Sequence, residues 1–273
     1  MPTLHDPVAI SIAGFDLRWY ALFILTGIVS AITLSFFLAE LRGKMTDGIN
    51  GDFLLDAAPW VVISGIVGAR FYYVLLKWDY FLDHPAEAVN VRTGGMTIHG
   101  ALIGGVLMLW WLCRTRTQPF FTWADLIVPG AALGQAIGRW GNWANQEAFG
   151  TPTSLPWAVH IDPARRPDGY EQYATFHPTF LYESLFNVAN AVLLAWLVLR
   201  VPRDSRLRDG DVTAVYLVLY GIARLILESM RTDSLYIGPL PAAYWLSGGL
   251  IVAGVAIFVG RRMHEVSNRE ATT

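Results

Sequence analysis

The sequence predicts an all-α, polytopic membrane protein with about seven transmembrane helices around a polar cavity open toward the outer leaflet. Three observations lead there. Of 273 residues, 54% are hydrophobic and only 15% charged, with a mean hydropathy of +0.40; ordinary globular chains carry about 25% charge to cover a water-facing surface. Seven apolar stretches can be read along the chain, each near the ~20 residues that cross about 30 Å of hydrocarbon. Finally, the ionisable residues within those stretches gather toward one side of the bilayer.

The spans fall at about 17–40, 53–76, 98–113, 123–146, 178–200, 212–231 and 241–260, and residues 1–273 read as a single integral membrane domain. No Lys or Arg precedes Arg18 and no A-x-A site follows the first apolar run, so the N-terminus does not read as a cleavable signal peptide. The second span ends in Arg70, Tyr72 and Tyr73, and the short third opens on His99. Gly130, Gly134 and Gly138 recur at four-residue spacing in the fourth, which permits close helix approach. The fifth enters through His177-Pro178 and carries Glu183, Asn187 and Asn190; the sixth carries Arg224, Glu228 and Arg231. A connection over about 147–177, rich in Pro, Gly and charge, reads as an ordered or semi-ordered surface loop.

Orientation follows from the cations. The connections after spans one, three and five, with the C-terminal tail, hold eleven Lys and Arg; the opposite side holds five, including Lys77, Arg92 and Arg231. The positive-inside rule then puts the N-terminus outside and the C-terminus in the cytoplasm. In that frame Tyr20, Arg70, His99, Arg139, Glu147, Glu183, Arg224 and Glu228 all lie in the outer half, and Asp125 is the main exception. A charge in hydrocarbon costs several kcal/mol unless paired or hydrated, so such residues are functional candidates. Helical spacing aligns Gly221, Arg224, Glu228 and Arg231 on one stripe, Arg139, Asn142 and Gln146 on another, and Glu183, Asn187 and Asn190 on a third.

Each candidate has a plainer reading. Arg224 and Glu228 suit a structural i,i+4 pair, Glu183 suits the dipole of its helix, and His177 suits an interfacial cap. The tryptophans suit the aromatic belt. None of these explains the convergence of Arg139, Arg224, Glu147, Glu228 and His99 at one depth.

Several chemistries are excluded. Lys44 and Lys77 lie outside the spans, which removes a Schiff-base chromophore. No GxSxG or HExxH occurs, and His5, His84, His99, His160, His177 and His264 show no ligand spacing, so a metal site is not expected. The lone Cys113 excludes a disulfide framework and a CxxC pair. A net charge of −2 gives no nucleic-acid footprint. Two buried arginines beside carboxylates and amides suit bidentate recognition of phosphate or carboxylate. At an outer membrane interface that anion is most simply a phospholipid head group; a membrane transporter for an organic anion is the alternative, and a membrane scaffold a second.

The residues Met96–Gly100, Gly138–Gly150, His177–Glu183 and Gly221–Arg231, with Arg18–Tyr20 and Gly65–Arg70, resemble the bacterial phosphatidylglycerol–prolipoprotein diacylglyceryl transferases. The likeness runs in order over about 17–241, and its signature is G-R-x-G-N-x-x-N-x-E-x-x-G at 138–150. Ala101, Trp143 and Leu225 depart mildly from the family pattern and remove no polar group. The resemblance implies a seven-span inner-membrane enzyme without cofactor. Its substrates would be phosphatidylglycerol and the lipobox cysteine of a prolipoprotein. It implies phosphate clamping by Arg139, with Asn142 and Gly150 shaping the head-group pocket. Arg224 would be the second cation, oriented by Glu228, and His99 the proton acceptor. Glu147 would meet the glycerol hydroxyls or orient Arg139, and Tyr20 would border the lipid's path.

Overall fold

The structure is a computed structural model that describes the backbone at residues 1, 4, 6–12, 15–46, 48–91, 94–232 and 236–270, and side chains at all of these except 12, 15 and 264–270. His5 and Arg92 lie outside the described residues, as do the side chains of His264 and Arg269. Two compact units divide the chain, one of residues 1–47 with 124–273 and the other of 48–123.

A hairpin of β1 (Val8–Ile12) and β2 (Phe15–Arg18) leads into α1 (Trp19–Gly43). There follow α2 (Asp52–Leu76), a short α3 (Trp78–Asp83), α4 (Ile98–Thr115) and α5 (Phe120–Asn145). Two-residue strands β3 (Val159–His160) and β4 (Thr175–Phe176) pair antiparallel. They precede α6 (Thr179–Arg200) and α7 (Asp211–Glu228). A last hairpin, β5 (Tyr236–Ile237) with β6 (Leu240–Pro241), leads into α8 (Ala242–Glu270). Among the described residues, α1, α2, α4, α5, α6 and α8 are long and apolar enough to cross a membrane. Helix α7 stands in the place of the sixth expected span, but it carries Asp211, Arg224 and Glu228, charges that lower its hydropathy.

In the larger unit the glycine spacing on α5 does what close packing requires. A Cβ at Gly134 would come 3.0 Å from Gly27 O, one at Gly138 would sit 3.5 Å from Ile24 Cδ1, and one at Gly130 would overlap Ala31 O. All three glycines therefore face α1, and backbone meets backbone where a side chain would hold the helices apart. Helices α7 and α8 approach in the same manner: a Cβ at Gly221 would lie 2.9 Å from Ser247 O, and one at Gly254 2.7 Å from Ala214 O.

Asp125, the exception noted in the sequence, has a structural explanation. Fully buried on α5, it accepts hydrogen bonds from Gly210 N (2.7 Å), Thr213 N (2.8 Å) and Thr213 Oγ1 (2.6 Å). A carboxylate from a neighbouring helix thus caps the first turn of α7, where backbone N–H groups lack partners of their own. Arg262 Nη1 and Nη2 grip the two oxygens of Asp211 at 2.8 and 3.0 Å, and Arg42 pairs with Asp209. The start of the helix that carries Arg224 and Glu228 is therefore tied to α5 and α8.

In the smaller unit α2 and α4 run antiparallel. Gly68 meets Gly100, Ser64 meets Gly104 and Val61 meets Gly105, so residue numbers fall on one helix as they rise on the other.

Two of the expected stripes end earlier than the spacing implied. Helix α5 stops at Asn145 and Gln146 takes φ 53°, so Gln146 turns away from Arg139 and Asn142. Helix α7 stops at Glu228, which places Arg231 beyond it, in an antiparallel bridge with Gly150.

Candidate active site

The last turns of α5 and α7 and the first turns of α6 carry the larger unit's charged cluster. Helical geometry places Glu183 on the second turn of α6, one turn above Asn187. Its carboxylate is 5% exposed and takes two cations: Arg139 Nε lies 2.6 Å from Oε2, and Arg224 Nη1 lies 3.5 Å from Oε1. Arg224 Nη2 lies 2.6 Å from Glu228 Oε2, which is also 4.0 Å from Arg231 Nε. Three guanidinium groups thus contact two carboxylates. Nη1 of Arg224 is buried and faces Glu183 Oε1 without completing a hydrogen bond.

A second line of contacts runs along the end of α5. Arg139 Nη1 donates to Asn142 Oδ1 at 3.3 Å, and Asn142 Nδ2 donates to Glu147 Oε1 at 2.9 Å. Asn145 Nδ2 reaches the same Glu147 oxygen at 3.4 Å. Asn142 therefore relays between Arg139 and Glu147, its acceptor turned to the cation and its donor to the anion. Glu147 stands between Gln146 and Ala148, both with positive φ (53° and 57°). That conformation is rare for residues with a Cβ and is held where surrounding contacts fix it.

Those contacts come from the segment 146–177 together with Leu4 and Thr179. Gln146 Nε2 donates to Asp162 Oδ2 (2.7 Å) and Leu4 O (3.1 Å), while Asp162 N donates to Gln146 Oε1 at 2.8 Å. Thr179 Oγ1 donates to Ala148 O. Phe149, Val159, Ile161, Phe176 and Phe180 form a buried cluster against which Trp140 and Trp143 pack. Trp140 Nε1 also donates to Ser184 Oγ at 3.2 Å, joining α5 to α6 beside the Arg139–Glu183 pair. The segment is an ordered cap on the charged cluster rather than a loose connection.

A model of the prolipoprotein diacylglyceryl transferase family matches residues 7–260. The chain belongs to that family. A relative from Trichormus variabilis, named phosphatidylglycerol–prolipoprotein diacylglyceryl transferase, is 43% identical over 255 residues, covering 93% of this chain and 89% of its own. One of the same name from Gloeobacter violaceus is 41% identical over 258 residues, covering 94% and 93%. Another from Finegoldia magna is 38% identical over 265 residues, covering 97% and 99%. Membership in the transferase family supports that reading over the organic-anion transporter.

Within this diacylglyceryl transferase family member, Glu147, Asn142, Arg139, Glu183, Arg224 and Glu228 follow one another in a single run of contacts. Gly150 is buried where the cap crosses α6: its N–H donates to His177 O at 2.9 Å, and a Cβ would lie 3.1 Å from Met230 O. Tyr20, 39% exposed, lays its ring on Gly141, where a Cβ would stand 2.7 Å from Cδ2. His99 belongs to the smaller unit, exposed near the start of α4 with its ring 6.2 Å from that of Tyr72. Glu183 is the residue that sequence reasoning undervalued. Its partners sit on two other helices, and its depth, its stripe with Asn187 and Asn190 and its place in the stretch 177–183 did not say which cations it would meet.

Two hollows adjoin the cluster. A small pocket between α6 and α7 is lined by Glu183, Asn187, Tyr220 and Arg224 with Phe186, Ala223 and Leu227. A larger one, about 310 Å³, is lined by Gln146, Glu147, Ala148, Phe149, Arg165, Pro167 and Thr232. Among the described residues no three His, Cys, Asp or Glu side chains gather where they could hold a metal.

Proposed function

We propose that the chain, acting as a single integral membrane domain of the bacterial inner membrane, transfers the diacylglyceryl group of phosphatidylglycerol to the lipobox cysteine thiol of a prolipoprotein. The bond that forms joins sulfur to the glyceryl carbon; the bond that breaks joins that carbon to the phosphate oxygen. Glycerol 1-phosphate leaves with the bonding electrons, so the phosphate goes from one negative charge to two. The thiol proton must go to a base, since a free thiol has a pKa of about 8.5.

The observation that carries this reading is the sharing of Glu183 by Arg139 and Arg224. Two cations tied to one carboxylate are necessarily close, and together they can meet the phosphate and the charge that grows on the leaving oxygen. Arg139 clamps the phosphate, with Asn142 and Gly150 shaping the head-group pocket. Arg224, oriented by Glu228, is the second cation. Glu147 receives the glycerol hydroxyls or steadies Arg139 through Asn142, Tyr20 borders the lipid's path, and His99 accepts the proton. The asymmetry of Lys and Arg along the chain supports an outside N-terminus, a cytoplasmic C-terminus and a periplasmic cap.

The test is transfer from labelled phosphatidylglycerol to a lipobox peptide in detergent. Arg139→Ala and Arg224→Ala should each lose most turnover while remaining folded. Full turnover by both variants would overturn the assignment.

A further inference from the structure

Arg70 lies on α2 of the smaller unit, 7% exposed, and among the described residues it has no carboxylate partner. Its guanidinium is spent on four backbone carbonyls. Nε donates to Ala88 O at 2.9 Å and Nη2 to Glu87 O at 2.6 Å, while Nη1 donates to Gly94 O and Gly95 O at 2.7 and 2.9 Å. The same group lies 5.5 Å from the ring centroid of Tyr73 and 5.3 Å from that of Phe81. A buried cation given this many acceptors satisfies the carbonyls of two chain stretches that would otherwise need water.

The acceptor side is built to match. Gly94 and Gly95 have φ of 83° and 73°, a backbone that side chains resist, and it aims both carbonyls at Nη1. A Cβ at Gly95 would overlap the Tyr73 ring and stand 2.8 Å from Arg70 Nη1. Immediately beyond, Thr97 N and Oγ1 both donate to Ala69 O, the neighbour of Arg70, at 3.2 and 3.3 Å. Thr97 Oγ1 also accepts from Gly100 N at 3.3 Å, capping α4. His99 is the second residue of that helix.

We infer that Arg70 is a positioning residue: with Gly94 and Gly95 it fixes the chain entering α4 and so sets the bearing of the His99 imidazole. The inference rests on the reading of His99 as proton acceptor. Lysine at position 70 keeps a charge but cannot span four carbonyls from one planar group, and Gly95→Ala disturbs the same latch from the other side.

The full chain in detergent is assayed for kcat and for KM toward phosphatidylglycerol, with His99→Gln retaining measurable turnover as the reference background. Arg70→Lys and Gly95→Ala should each lower kcat by roughly tenfold to a hundredfold, as misplacement of a reacting group does, with KM unchanged. In the His99→Gln background neither should lower kcat further, because two changes acting through one group are not additive. An equal fold-loss in both backgrounds, or unchanged kcat in both variants, overturns the positioning role and leaves His99 standing. Full turnover by His99→Gln overturns both readings together. If Arg70→Lys does not fold, Gly95→Ala decides.

Discussion

Arg139 and Glu183 form the shortest link between α5 and α6 at the charged cluster, Nε to Oε2 at 2.6 Å, although they are 44 residues apart in the chain. The carboxylate is the more deeply buried of the two, 5% exposed against 23% for the arginine. Such an ion pair is worth little beyond its desolvation cost as a source of stability. Its value lies in geometry, because the same carboxylate also faces Arg224.

Glu183→Gln should test that geometry. The amide keeps the shape and removes the charge, so Arg139 and Arg224 lose the carboxylate they share. Turnover is expected to fall roughly a hundredfold, because the two cations are no longer drawn to one point. The melting temperature should fall too, since a buried charge has lost its partner. Glu183→Asp, shorter by one methylene, should recover part of the melting temperature and little of the rate. Transfer assays and thermal unfolding of the two variants check both statements.

Arg139→Lys distinguishes a clamp from a simple positive charge. The ammonium can still pair with Glu183, but it cannot also reach Asn142 Oδ1 from a second fixed nitrogen. Arg139→Ala should reduce kcat/KM by about 10²–10³, the range for loss of one donor to a developing anion. Lysine should restore less than a tenth of it. Steady-state transfer at several phosphatidylglycerol contents is the measurement.

Asp125→Ala should unsettle the fold without touching the chemistry directly. It removes a buried acceptor of three hydrogen bonds at the start of α7. Hydrogen bonds to a charged group contribute about 1.5–3 kcal/mol each, with strong overlap among them, so a marked fall in melting temperature is expected. Turnover per folded molecule should change far less than in the Glu183 variants. Thermal unfolding beside activity normalised to folded protein separates the two effects.

Gln146→Ala should loosen the cap. The variant loses the reciprocal pair with Asp162 and the bond to Leu4 O, each worth about 1 kcal/mol. Residues 147–177 should then be cut faster by a protease under native conditions, and Glu147, next to the altered residue, should be held less firmly. Limited proteolysis of the native and altered chains reads this out.

Much of the architecture was legible before any coordinates. The expected fifth span at 178–200 became Thr179–Arg200, and the expected second at 53–76 became Asp52–Leu76. Apolar length and punctuation by charge and proline suffice to locate such helices. Periodicity served well inside a helix, as for Gly130, Gly134 and Gly138 against α1. It failed just past helix ends, where Gln146 and Arg231 left the stripes assigned to them. Once the backbone leaves helical φ and ψ, the 100° step that aligns side chains no longer holds.

By itself, the sequence determined that this chain enters lipid, where its helices lie, and which family it belongs to, because hydrophobic length and a run of polar residues are properties of neighbours in the chain. Only the tertiary structure decided that Glu183 serves two arginines, that Asn142 relays between Arg139 and Glu147, and that Asp125 caps a distant helix. These pairings depend on the rotation and crossing of separate helices. That register is set by packing across the whole unit, and no local spacing encodes it.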